Sequence, residues 1–137
     1  MSEDENIAMI KEWFEDTVRD VKSTEEYYSK DATFWTADNL IKGRDQIIEV
    51  WSNFFSVLVP KSYEIHNIIA QGNELAVEFS CTSTHLGEYA GISATGKDIT
   101  WDMVYVFTIE KGKIKSVRDY FNVKGYAHKQ QIDYLKA

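Results

Sequence analysis

The chain has 137 residues, of which 44% are hydrophobic and 14% aromatic. This length suits one domain with a sizeable core over residues 1–137 and is too short for two ordinary domains. The formal net charge is −7 and no run of Lys or Arg occurs, which argues against a nucleic-acid or anionic-membrane partner. No apolar run approaches the length that spans a membrane.

The N-terminus and the cysteine content predict the compartment. The first residues, MSEDENIAMIKEW, are acidic and lack the apolar segment that a signal peptide needs. Cys81 is the single cysteine, so the chain cannot form an internal disulfide, which fits a reducing compartment. We therefore expect a cytoplasmic protein.

The first part of the chain has helical periodicity. Ser2 and Glu5 form the pattern of a capping box, and a stripe of apolar residues predicts a helix that ends near Lys22. Residues 23 and 24 then predict the cap of a short second helix. The apolar stripe of the first helix consists of Ile7, Ile10, Phe14 and Val18.

A short strand and a long helix follow. Residues 32–36 are rich in strand-forming types. Gly43 opens a predicted helix that Pro60 closes, and the apolar side chains between them are spaced as a wide buried face. Those side chains are Ile47, Ile48, Trp51, Phe54, Phe55 and Leu58.

The periodicity changes to two after residue 62, which is typical of strands. Gly72 and Gly112 supply short turns between neighbouring strands, and a final helix is predicted from Lys124 to Lys136. The predicted strands are 62–71, 74–87, 98–110 and 113–122. Helices with one strand, followed by an antiparallel meander, indicate the α+β class.

Four stretches of the chain resemble one known superfamily. They are EYYSKDATFW at 26–35, KGRDQI at 42–47 with Trp51 after it, HLG to GISATGK at 85–97, and GKI to RDYFN at 112–122. Their order and spacing resemble the SnoaL-type polyketide cyclases and ketosteroid isomerases of the nuclear-transport-factor-2-like superfamily. The resemblance implies a cone-shaped α+β barrel, with N-terminal helices packed on a curved, mainly antiparallel sheet. It also implies a pocket for a small apolar or aromatic ligand, a homodimer, and chemistry without a cofactor.

Asp119 is the main candidate for catalysis. On the last predicted strand it shares a face with Val117 and Phe121, so its carboxyl group should be desolvated and its pKa raised. Such a group can act as an acid or a base near neutral pH. The alternative is an exposed edge position, or an ion pair with Arg118 or with a neighbouring strand.

The resemblance also bears on the end of the last strand. The family often carries an acidic residue there, whereas this chain has Asn122, which cannot transfer a proton. The acid–base role therefore falls on Asp119 or is missing. If the protein is an enzyme, Tyr105 or Asn122 would stabilise an enolate oxygen.

The large aromatic side chains of the chain are candidates for lining the implied pocket. Each of them could instead fill the core, which is the common role of buried aromatic residues. The candidate ligand-binding rings are Trp13, Tyr27, Trp35, Trp51, Trp101 and Phe121, with Tyr105 among the wall residues.

Other polar residues are weaker candidates. Asp102 should point away from Trp101 and lie on the outer face of the sheet, and His66 is out of phase with its apolar neighbours. His85 is expected to hold the loop that follows it. Cys81 lies four residues from His85 on one strand, about 13 Å away, which excludes a nucleophilic dyad. The histidine spacing suggests no metal site.

The stretch GISATGKD at 91–98 differs from a phosphate-binding loop at its last position only. That loop needs a helix after it, whose N-terminus binds phosphate. Here a strand is predicted to follow, and Asp98 adds negative charge where phosphate oxygens would lie. We therefore interpret the stretch as a connection between strands that rims the pocket, with Gly91 and Gly96 at positive φ.

The sequence leaves two functions open. The first is a cofactor-independent cyclase or isomerase that transfers a proton next to a carbonyl group of an apolar ligand. The second is a non-catalytic ligand-binding or association domain of the same fold. Asn122, and the lack of a second carboxylate on the pocket face, favour the second.

Overall fold

A computed structural model of the chain describes residues 2–36, 39–121 and 132–137. Its helices and strands follow in the order α1 (Glu3–Arg19), a 3₁₀ helix (Val21–Tyr27), β1 (Tyr28–Thr36), β2 (Asn39–Lys42), α2 (Arg44–Val57), β3 (Leu58–Gln71), β4 (Glu74–His85), β5 (Asp98–Glu110) and β6 (Lys113–Tyr120). A short helix occupies residues 132–136. The rest of the predicted final helix lies outside the described residues.

The predicted capping box at the start of α1 is confirmed. The amide of Glu5 donates to Ser2 Oγ over 3.1 Å, and the amide of Ser2 donates to Glu5 Oε1 over 3.2 Å. The helix ends at Arg19, three residues before the predicted Lys22. The cause is Asp20, whose extended backbone stops α1 and whose carboxylate accepts from the amide of Lys22 to start the 3₁₀ helix.

The predicted end of α2 is wrong, because Pro60 lies inside β3 and does not close the helix. Proline cannot donate a hydrogen bond to a sheet, so it is tolerated at an edge or beside a bulge. Both conditions hold here: β3 is an edge strand, and its pairing with β4 shifts in register between Pro60 and Ser62. The strand β2 was not predicted, and β1 begins four residues earlier than expected, at Tyr28.

The strands form one curved, unclosed six-stranded sheet in the order β2-β1-β6-β5-β4-β3. The pair β1 and β6 is parallel, and every other neighbouring pair is antiparallel. The N-terminal helices pack against this sheet, which confirms the predicted α+β cone. Within the described part of the chain, no helix is both long and apolar enough to cross a membrane.

The main core lies between α1 and the inner face of the sheet. The ring of Trp13 meets Phe107 at a centroid distance of 5.4 Å, and the ring of Phe14 meets Phe79 at 4.7 Å, both edge to face. Each of these four side chains is at most 4% exposed. Burial of one such ring contributes about 1.5–3 kcal/mol, so this packing fixes α1 over β4 and β5.

Candidate functional site

A cavity of about 270 Å³ lies between the two α-helices and the inner face of the sheet. More than half of the described residues in its wall are aromatic, and the remainder are apolar or small polar residues apart from Asp119. Asp119 is the one residue in this described wall that carries a charge at neutral pH. The aromatic wall residues are Trp13, Phe14, Trp51, Phe54, Phe55, Tyr63, Phe79, Tyr89, Trp101, Tyr105 and Phe121.

Asp119 occupies the position that the alternation of β6 predicts. Its neighbour Val117 is fully buried on the same face, and Asp119 itself is 2% exposed. It lies between two strands, with Thr36 of β1 and Tyr105 of β5 as its direct cross-strand partners. Thr36 Oγ1 donates to Asp119 Oδ2 over 2.9 Å, whereas Asp119 Oδ1 is buried without a hydrogen-bond partner in the described structure.

Burial controls the ionisation of this site. Desolvation raises the pKa of Asp119 to about 6, and the hydrogen bond from Thr36 opposes that rise. The pKa of Tyr105 also lies well above its ordinary value, first because of desolvation and second because of the nearby Asp119 charge. At neutral pH the site therefore combines a mostly ionised carboxylate with a neutral phenol, an acceptor beside a donor.

Most of the predicted ligand-binding rings lie in the cavity wall. Trp13 comes from α1, Trp51 from α2 and Trp101 from β5, and Phe121 follows the end of β6. The rings of Trp101 and Phe121 meet edge to face at 6.3 Å. The alternative that these rings fill the hydrophobic core also holds for Trp13, which belongs to the main core cluster.

Two predicted rings are outside the cavity wall, which corrects the sequence-based prediction. The hydroxyl of Tyr27 donates to Asp16 Oδ2 over 2.7 Å, so the side chain is tied to α1. The ring of Trp35 contacts that of Tyr120 in a tilted arrangement, at a centroid distance of 5.3 Å, on the outer face. The reason is strand alternation: Phe34 is 1% exposed and faces the core, so its neighbour must face outward.

The predicted role of Asn122 falls outside the described residues. Four polar, non-aromatic wall residues were missed from the sequence: Thr17, Thr36, Cys81 and Ser83. Burial raises the pKa of the Cys81 thiol, which keeps it protonated. Period-two alternation from Phe79 could have placed Cys81 and Ser83 on the cavity face. The role of Thr36 depends on a parallel pairing that the local pattern does not specify.

His85 holds the following loop, as predicted. Its Nδ1 accepts from the amide of Thr95 over 3.2 Å, and the amide of Gly96 donates to the carbonyl oxygen of His85 over 2.9 Å. Gly91 and Gly96 have φ of 77° and 72°, which confirms the predicted positive φ. Tyr89 in this loop lines the cavity. The strand β5 follows the loop, where a phosphate-binding loop would be followed by a helix.

The outer face of the sheet carries the remaining polar candidates. Asp102 accepts from Ser80 Oγ over 2.6 Å, and His66 Nε2 lies 2.6 Å from the same oxygen. Arg118 points away from Asp119 and lies 3.6 Å from Glu74. These contacts confirm the predicted outward direction of Asp102 and place His66 and Arg118 on the same outer face. Within the described ranges, no three His, Cys, Asp or Glu side chains group closely enough to hold a metal ion.

Comparisons with known proteins agree with this geometry. The model of the SnoaL-like domain matches residues 10–117. The chain belongs to the SnoaL-like family. No curated protein has a significant sequence match.

Several solved structures share its fold. AclR from Streptomyces galilaeus, a candidate hydroxylase, has a TM-score of 0.83 at 21% identity, with 98% of each chain covered. A candidate SnoaL-like polyketide cyclase from Jannaschia sp. CCS1 has a TM-score of 0.82 at 17% identity, covering 95% of this chain and 92% of its own. A candidate isomerase from Bacillus subtilis has a TM-score of 0.79 at 19% identity, covering 97% of this chain and 96% of its own.

Proposed function

We propose that this SnoaL-like protein binds a small, largely apolar carbonyl compound in the cavity and moves a proton at the carbon next to the carbonyl group. The observation that carries the proposal is the buried Asp119 carboxyl group in an aromatic wall. A general base is most effective when its pKa lies near the working pH, and a pKa of about 6 for Asp119 meets that condition.

Two side chains divide the reaction between them. Ionised Asp119 accepts the proton from the α-carbon. The electron pair of the C–H bond forms the C=C bond of an enolate, and the π pair of the carbonyl group moves to its oxygen. Tyr105, which keeps its proton because its pKa is raised, donates a hydrogen bond to the resulting enolate oxygen. Return of the proton to another carbon gives an isomer, and attack of the enolate carbon on a second carbonyl group gives a ring. These are the activities in the names of two structural neighbours, a candidate cyclase and a candidate isomerase.

The cavity limits the size of the ligand. Its volume of about 270 Å³ equals roughly nine waters of the bulk liquid. At the packing density of protein interiors, it holds a ligand of roughly ten to fifteen non-hydrogen atoms. A bicyclic aromatic ketone fits this range. We use 2-tetralone, a two-ring ketone with acidic α-hydrogens, as the probe.

A second candidate function is ligand binding without catalysis. It is supported by the wall itself, in which Asp119 is the one charged residue that the structure describes. Proton transfer between two different positions of a ligand is easier with two ionisable groups. A single carboxylate is sufficient to orient a ligand.

Hydrogen–deuterium exchange separates the two functions. In D₂O the wild-type protein should catalyse exchange at the α-carbons of 2-tetralone, followed by proton NMR. The rate should rise with pH up to about 6 and then level off, because Asp119 must be ionised to act. Asp119→Asn should reduce catalysed exchange by roughly 10²–10⁴-fold. Asp102→Asn, on the outer face and with the same change in charge, should have no effect.

Two outcomes would contradict catalysis by Asp119. Exchange in Asp119→Asn at the wild-type rate would exclude this residue as the base. Binding of 2-tetralone by the wild-type protein, without any acceleration of exchange, would instead favour the non-catalytic function.

We also propose that the protein is a cytoplasmic homodimer that associates through the outer face of the sheet. An apolar patch on this face supports the dimer. Trp35 pairs with Leu40 across the strands, and its ring contacts the ring of Tyr120. Leu40 is 52% exposed and Tyr120 is 47% exposed. Sedimentation should give twice the mass of one chain, whereas a mass of 15.9 kDa would contradict the dimer.

A further inference from the structure

Among the residues that the structure describes, the cavity wall places one negative group among aromatic rings and no cation. Asp119 Oδ2 accepts one hydrogen bond, from Thr36, and Oδ1 has no partner in the described structure. A buried carboxylate is costly unless it is paired or fully hydrogen-bonded. No Lys, Arg or His is present among the described wall residues, so this part of the wall does not compensate the charge.

The rings around the carboxylate have a matching property. Aromatic faces carry a negative quadrupole and attract cations, and indole attracts them most strongly. Three Trp side chains share the wall with Asp119, and Tyr105 lies directly across from it on β5. Carboxylate and ring faces therefore favour the same kind of ligand group, one that is positively charged and attached to an apolar body.

We propose that the cavity binds small hydrophobic ammonium compounds, with the cation beside the Asp119 carboxylate and the aromatic faces against its charge and hydrocarbon part. This site does not depend on the proposed proton transfer, since it requires only that Asp119 be ionised and accessible to the ligand. A charge-assisted hydrogen bond is roughly twice as strong as a neutral one. The overall charge of −7 also attracts cations at long range.

The other ionisable groups in the wall do not compete for this role. Burial raises the pKa of the Cys81 thiol and of the Tyr63, Tyr89 and Tyr105 phenols. All of them therefore stay neutral between pH 5 and pH 8. The described wall residues of the two helices are apolar or carry a hydroxyl group. Asp119 is thus the one described wall group whose charge changes in this range.

The proposal predicts opposite behaviour for two isosteric probes, 2-aminotetralin and 2-tetralol, which differ in one amino or hydroxyl group. An alkylammonium group keeps its charge up to about pH 10. At pH 8 the wild-type protein should bind the ammonium compound at least tenfold more tightly than the alcohol, measured by titration calorimetry. At pH 5, where Asp119 is mostly protonated, the preference should shrink severalfold, because the neutral acid no longer attracts the cation.

Matched variants locate the effect. Asp119→Asn should bind the two probes with similar affinity at both pH values. Asp102→Asn, which changes the net charge equally on the outer face, should keep the wild-type preference. Equal affinities in the wild-type protein at pH 8, or a preference that survives in Asp119→Asn, would overturn the proposal.

The result is independent of the exchange experiment with 2-tetralone. If the wild-type protein catalyses exchange on 2-tetralone but shows no preference for the ammonium compound, the cation site is refuted and the proposed proton transfer is unaffected. If it prefers the ammonium compound but does not catalyse exchange, the proton transfer is refuted and the cation site is supported. If Asp119→Asn does not fold, the pH dependence of the wild-type preference decides alone, since a preference that does not fall between pH 8 and pH 5 contradicts a role for the carboxylate.

Discussion

Asp119 and Asp98 lie on opposite faces of one sheet and make the same local contact with different consequences. Each accepts a hydrogen bond from a threonine hydroxyl, over 2.9 Å from Thr36 and over 2.8 Å from Thr84. The pKa of Asp98 is lowered, first by its hydrogen bond with Lys61. The pKa of Asp119 is raised by burial despite its hydrogen bond. Burial at Asp119 and the Lys61 contact at Asp98, and not the threonine, therefore determine which carboxylate can exchange protons near neutral pH.

The largest expected difference between the two aspartates is in stability. Asp119 has a pKa of about 6 in the folded state against an ordinary value of 3.8, so the folded state holds its proton more tightly. The free energy of unfolding should therefore fall as pH rises from below 4 to above 6. Asp119→Asn should remove this loss and raise the free energy of unfolding at pH 8 by up to about 3 kcal/mol. At pH 3.5 the variant should gain little.

Asp98→Asn is the matched comparison. The lowered pKa of Asp98 means that its charge stabilises the folded state above the ordinary pKa, and that this contribution is lost as pH falls. Its substitution should reduce the free energy of unfolding at pH 8 and have less effect in acid. Urea unfolding at pH 3.5 and pH 8 measures both variants. If the two substitutions changed stability in the same direction at pH 8, the contrast between the faces would be wrong.

Strand alternation explains how much of the site could be predicted from the sequence. Val117 in β6 and Phe121 just after it define an apolar face, so the position of Asp119 between them was predicted correctly. In β1, nearly every residue from Ala32 to Thr36 is a strand-forming type. Polar and apolar residues therefore do not alternate clearly in this segment, and Trp35 was predicted on the wrong face of the sheet. The fold was predicted well because four motifs in a fixed order span residues 26–122. The face on which a single ring lies depends instead on the alternation within one short strand.

Contacts between distant parts of the chain mark the other limit of sequence-based prediction. Thr36 and Asp119 are 83 residues apart, and only the parallel pairing of β1 with β6 brings them together. Likewise, Pro60 is a reasonable helix end by local rules, yet its strand lies at the sheet edge, where proline is tolerated. Helices and hairpins follow from local periodicity. The polar environment of the carboxylate follows from topology.

A smaller effect tests the contribution of the hydrogen bonds themselves. The bond from Thr36 lowers the pKa of Asp119 against the larger effect of burial, so Thr36→Val should raise the pKa further. Thr36→Ser, which retains a hydroxyl group, should change it less. Lys61→Met should raise the pKa of Asp98 toward its ordinary value, because the first cause of its lowering is removed. Carboxyl ¹³C NMR titration reports both groups in one sample. An unchanged Asp119 pKa in Thr36→Val would mean that Thr36 only fills space, whereas a rise would make it a positioning residue that holds one carboxylate oxygen and tunes the acidity of the other.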